Sequence, residues 1–114
     1  MKIKEKMHQK VAVLTLKGKL MGPPATKTLV EDVENLLEDG VTRVVLDLKH
    51  VNWINSLGVG AIIKALSRLN KAGGVLHLVG LTEKVRSVFV MSQLTKIIPI
   101  NETIDEAIEE LNKK

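Results

Sequence analysis

The chain has no cysteine and no tyrosine, and its 114 residues include one tryptophan, one phenylalanine and three prolines. Without thiols there are no disulfides, no thiolate nucleophile and no cysteine-ligated metal. Two aromatic rings, Trp53 and Phe89, are too few for the stacking platforms of single-stranded nucleic-acid binders. No apolar run reaches the ~18 residues of a membrane helix, because Lys or Arg interrupts every long candidate. Met1-Lys2-Ile3-Lys4-Glu5 is followed by no apolar leader segment. The expectation is a cytoplasmic protein with no membrane insertion.

What is present is ordinary for a globular domain: 45% hydrophobic and 26% charged residues. The length suits one domain spanning residues 1–114, with a single core. The net charge is +4, and Lys2, Lys4, Lys6, Lys10 and Lys17 crowd the start of the chain. The remaining basic residues are scattered, and no helix pattern carries a basic stripe. The charge therefore reads as a solvated face, and no direct contact with nucleic acid is expected. The end is acidic instead, with Glu102, Asp105, Glu106, Glu109 and Glu110.

Turn residues cut the chain into alternating strand and helix patterns. Lys2 to His8 alternates weakly and reads as an edge strand, its lysines discouraging stray pairing. Val11 to Leu16 is a more buried strand, forming a hairpin with the first through Gln9-Lys10. Gly18 to Gly22 reads as a loop, and Pro23-Pro24 as the start of a helix. Ala25, Leu29, Val33, Leu36 and Leu37 recur at helical spacing until Gly40. Val44 to Leu48 is almost wholly apolar, as a parallel strand covered on both faces should be. A helix follows Ser56 and stops at Gly73-Gly74. Val75 to Val79 is a further strand, and Thr82 caps a helix carrying Val85, Val88 and Phe89. Ile97 to Ile100 is the last strand, placed at an edge by Pro99. Thr103-x-x-Glu106 is a capping box ahead of Ile104, Ala107, Ile108 and Leu111. The order β-β-α-β-α-β-α-β-α predicts an α/β fold, with a mainly parallel sheet of about five strands and about four helices.

In such a sheet, function gathers where strand carboxyl ends meet helix amino ends. The junction Asn52-Trp53-Ile54-Asn55-Ser56-Leu57-Gly58-Val59-Gly60 is the informative one. It places Ser56 at a helix N-terminus, where free N–H groups and the macrodipole favour an anion. On the residues alone, Ser56 is either a simple helix cap or an acceptor of phosphate. Gly58 and Gly60 are poor helix residues, each costing about 1 kcal/mol relative to Ala, so a close approach to the backbone is expected there. Trp53 reads as a core or strand-end residue more readily than as a partner anchor. Ser56 lacks the glycine two residues earlier that marks a nucleophile elbow. His8 and His77 fall on strands and His50 in a turn, so no base is positioned for it. No phosphate-cradling glycine loop and no metal-ligand spacing are present. Hence no catalytic residue, no metal and no cofactor are expected, and the chain is not read as an enzyme.

The stretch Val44-Val45-Leu46-Asp47-Leu48, then Val51, then Ile54-Asn55-Ser56-Leu57-Gly58-Val59-Gly60, resembles the signature of the STAS domain, the family of bacterial anti-sigma factor antagonists. The pattern is a buried strand ending Asp-Leu, then Asp-Ser-Ser/Thr-Gly-Leu-Gly opening a helix. Gly18-Lys19-Leu20 is similar to the family's Gly-Glu-Leu-Asp loop, and Gly73-Gly74 to its next turn. Val85-x-x-Val88-Phe89-x-Met91-Ser92-x-Leu94-x-Lys96-Ile97 resembles its late helix and final strand. The resemblance implies a regulator acting through protein–protein contacts on sigma-factor-dependent transcription. By this resemblance Ser56 is phosphorylated by an anti-sigma factor that is also a serine kinase. The unphosphorylated form binds that kinase, and a phosphatase resets the switch. Met21, Asn55, Ser56, Leu57, Gly58 and Val59 would form the partner-binding face.

Three positions depart from the family pattern. Asn55 replaces the acid before the serine, Met21 the acid ending the loop, and Leu57 the Ser/Thr that follows. These changes keep open an alternative, a constitutive STAS scaffold without a phosphate switch. Such a scaffold could be the cytoplasmic subunit of a lipid-transport ABC system or part of a signalling assembly. An unrelated small α/β domain, such as a nucleotide-binding module or a minor enzyme, is the third reading.

Overall fold

A computed structural model describes residues 1–113. The first two strands, β1 (Lys2–His8) and β2 (Val11–Leu20), pair antiparallel. Then follow α1 (Ala25–Glu38), β3 (Arg43–Ile54), α2 (Ser56–Lys71), β4 (Val75–Val79), α3 (Glu83–Met91), β5 (Ile100–Asn101) and α4 (Ile104–Asn112). One five-stranded sheet runs β1-β2-β3-β4-β5, parallel from β2 onward.

Side-chain alternation divides the strands between two layers. Ala12, Leu14, Leu16, Val44, Leu46, Leu48, Leu76 and Leu78 face a large core with α1, α2 and α3. Val11, Val13, Val45 and Val79 face a smaller one, closed by Ala107 and Leu111 of α4. Helices on both faces explain why β3 and β4 begin as near-continuous apolar runs.

Several boundaries differ from the sequence expectation. Strand β2 extends to Leu20, so Gly18-Lys19-Leu20 is strand and the loop shortens to the residues after it. Strand β3 runs on to Ile54, and His50 lies in it rather than in a turn. These polar residues stay extended because β3 keeps pairing with β2 past Asp47, with two register shifts. The first helix begins at Ala25, after the prolines, and its N-terminus has no side-chain cap. The final strand is only Ile100–Asn101. A 3-10 turn occupies Leu94–Lys96, and Ile97 is exposed. Pro99 lacks an N–H but accepts from Leu78 N (3.0 Å) through its carbonyl.

Among the described residues, no helix is long and apolar enough to cross a membrane. Because β2, β3 and β4 are parallel, their carboxyl ends lie at one edge of the sheet. The segments after Leu20, Ile54 and Val79 emerge there together.

Candidate functional site

The site is built where β2 and β3 give way to α1 and α2. Asn55 is the N-cap of α2, with extended backbone, and its Oδ1 accepts from Gly58 N at 3.1 Å. Its Nδ2 donates to the carbonyl of Met21 at 3.0 Å. One amide thus caps the helix and ties down the loop after β2. An aspartate could do the first and not the second, since an ionised carboxylate has no proton to donate.

Ser56 is therefore not the cap. It is the first residue of α2 and exposed, and among the described residues its hydroxyl makes no hydrogen bond. Next to it Leu57 is 58% exposed, and across the tie Met21 is 41% exposed, both unusually open for large apolar side chains. Leu57 leans on Gly22: a Cβ at that glycine would stand 3.3 Å from Leu57 Cδ1.

Gly58 and Val59 face the other way. A Cβ on Gly58 would lie 2.1 Å from the Leu20 carbonyl oxygen and 2.7 Å from Ile54 Cγ1. This is the close backbone approach that the glycine predicts: the first turn of α2 rests on the end of β2. Gly60 has no such neighbour, because a Cβ there meets nothing within 4 Å. Val59 is 8% exposed and belongs to the core. The six candidates thus form an outer set of Met21, Asn55, Ser56 and Leu57 on an inner support of Gly58 and Val59. Trp53 is 42% exposed at the end of β3, so it is a strand-end residue and not a core one.

Two depressions flank this face. One, of about 550 Å³, lies toward β1 and is lined by Met1, Ile3, Met21, Pro23, Pro24 and Asp32 among others. Burial holds the Asp32 carboxyl above the usual aspartate range, and the charges of Glu5 and Glu31 push it the same way. The other, of about 540 Å³, runs between α1 and α2, with Ser56, Leu57 and Gly60 beside Lys27, Lys64 and Arg68. Sequence reasoning missed this groove. Its basic residues sit on two helices, and only the packing of α1 against α2 brings them together. Among the described residues, no group of three or more His, Asp or Glu side chains is placed to hold a metal ion.

The STAS domain family model matches residues 2–107. The chain belongs to the STAS domain family. The anti-sigma F factor antagonist of Paenibacillus polymyxa is 26% identical over 111 residues, covering 97% of this chain and 95% of the relative. A crystal structure from Thermotoga maritima, of a protein with the inferred role of anti-sigma factor antagonist, superposes with a TM-score of 0.89. It is 29% identical and covers 96% of this chain and 94% of its own. The Bacillus cell fate determinant SpoIIAA in its phosphorylated form superposes with a TM-score of 0.75 over 96% of this chain and 98% of its own. At 22% identity that last likeness speaks for the fold. The STAS fold accounts for the element order and for the single antiparallel edge strand.

Proposed function

We propose that this chain, as one STAS domain over residues 1–114, is a cytoplasmic anti-sigma factor antagonist. It binds an anti-sigma factor that is also a serine kinase, and phosphorylation of Ser56 ends the contact. The observation that carries this reading is the division of labour at the head of α2. Asn55 does the capping, which leaves the Ser56 hydroxyl exposed and unbonded beside an open apolar pair, Leu57 and Met21.

The chemistry follows from that position. The kinase transfers the terminal phosphoryl group of a nucleoside triphosphate to Ser56 Oγ. The Oγ–P bond forms, the bond to the leaving diphosphate breaks, and the hydroxyl proton passes to a base of the kinase. The product carries about −1.5 to −2 charges at pH 7. The helix N-terminus tolerates that charge, but an interface closed over Leu57 and Met21 does not, because the dianion must be desolvated to be buried there. A phosphatase resets the serine. The chain itself acts by binding and supplies no catalytic group.

A second reading is favoured by one observation. The outer face, Met21, Asn55, Ser56 and Leu57, carries no carboxylate, and Asn55 is engaged with Met21. A neutral, locked face suits a constitutive adaptor with no phosphate switch.

Capture from lysate separates the two, with tagged wild type, Ser56→Ala and Ser56→Asp compared by mass spectrometry. The switch predicts a serine kinase held by wild type and Ser56→Ala and lost by Ser56→Asp. The same non-kinase partner on all three contradicts the switch and supports the adaptor.

A further inference from the structure

The groove between α1 and α2 has a composition that docking of a partner does not require. Ser56 lies along it, and so do Thr26 and Lys27 in the first turn of α1 and Lys64 in α2. Among the described residues, neither Lys27 nor Lys64 is in an ion pair, whereas Arg68 is engaged with Glu34 at 3.7 Å. Gly60 leaves open space on the α2 wall. The positive end of the α1 macrodipole lies on the opposite wall, where the Thr26 N–H donates to the Gly22 carbonyl at 3.2 Å. Beyond the Glu34–Arg68 pair the groove holds two ammonium groups, Lys27 and Lys64, and one carboxylate, Glu31, so a small anion attached at Ser56 meets a surround of net positive charge.

We propose that the phosphate of phosphorylated Ser56 folds back into the α1–α2 groove, held by Lys27 from α1 and Lys64 from α2. This deepens the switch and rests on the reading of Ser56 as the phosphate acceptor. The modification then does more than repel. It adds charge to the depression beside Leu57 and cross-links two helices electrostatically. Lys27 acts as a positioning residue for the modified state and has no part in the unmodified one.

The test places phosphoserine at position 56 during synthesis, so it needs neither the kinase nor the partner. The phosphorus-31 resonance is followed against pH at low salt, where surface charge is least screened. Free phosphoserine gives up its second proton near pH ~6. The expected value in the intact chain is lower, and Lys27→Gln returns it upward by about 0.5 unit. Lys27→Arg keeps it low, and Lys71→Gln, at the far end of α2, leaves it where wild type has it. Equal values for wild type and Lys27→Gln overturn the proposal by showing a phosphate that points to solvent. That result leaves the partner switch standing, because loss of kinase binding is read in a separate capture experiment.

Discussion

At the scale of single residues, the site depends on a glycine and an amide. Gly58 has no space for a methyl group, and its nearest obstacle is the Leu20 backbone carbonyl, which cannot rotate away as a side chain would. Gly58→Ala is expected to cost more than about 2 kcal/mol, toward the upper end of overpacking effects, as measured by urea unfolding. Asn55→Ala removes the cap and the tie to Met21 together. The expected loss is about 1–2 kcal/mol, with faster amide exchange in the loop before α1. Asn55→Asp keeps the cap, so it should recover most of that stability while leaving the loop exchange fast.

The glycine's role was legible in advance, since a helix that opens with two glycines implies a close approach. Which of the two does the work was not. Both break the same propensity rule, and only the position of Leu20 distinguishes Gly58 from Gly60. The departure at Asn55 was visible as well, but its physical meaning was not. A sequence shows the loss of a carboxylate without showing the carbonyl, 34 residues away in the chain, that the amide gained.

At the scale of elements, hydrophobic pattern reports burial and not pairing. Val44 to Leu48 is the continuously buried part of β3, so it stood out, whereas Val51 and Ile54 are buried singly among exposed residues. Lys49 to Trp53 is strand because β2 offers a hydrogen-bonding edge, and its mixed composition hides that. Ile97 shows the converse. It looks like strand because it is β-branched and apolar, yet Gln93 takes a left-handed conformation (φ 60°) and the chain turns before pairing.

Two predictions belong to this scale. Leu111 is fully buried and holds α4 to its face of the sheet. Leu111→Ala should cost about 2–5 kcal/mol, with amide protection lost first in α4. Asp32, in α1, has its carboxyl held above the ordinary aspartate value of 3.8 by burial, then by Glu5 and Glu31. The folded state therefore favours its protonated form. The stability linked to that form is present at low pH and lost as pH rises through the folded value. Asp32→Asn should raise the urea midpoint at neutral pH. That advantage should fade as the pH falls toward and below 3.8.

At the scale of the whole molecule, parallel strands bring three loops to one edge and set an exposed serine between two depressions. The fold class and that edge were readable from the alternation of elements alone. The α1–α2 groove was not, because it belongs to a helix pair that no local pattern describes. Under the proposed switch, a single charge change at Ser56 alters a face where Met21 and Leu57 are open and no carboxylate stands among the outer residues.

Control of partner binding by Ser56 is tested by adding a nucleoside triphosphate to the purified complex of this chain with its captured kinase. Intact-mass analysis follows the phosphate while gel filtration follows the complex. The switch predicts one phosphate, on Ser56, and dissociation in step with its appearance, whereas the Ser56→Ala complex persists. A wild-type complex that stays intact with Ser56 fully phosphorylated, or that dissociates with Ser56 unmodified, would contradict it.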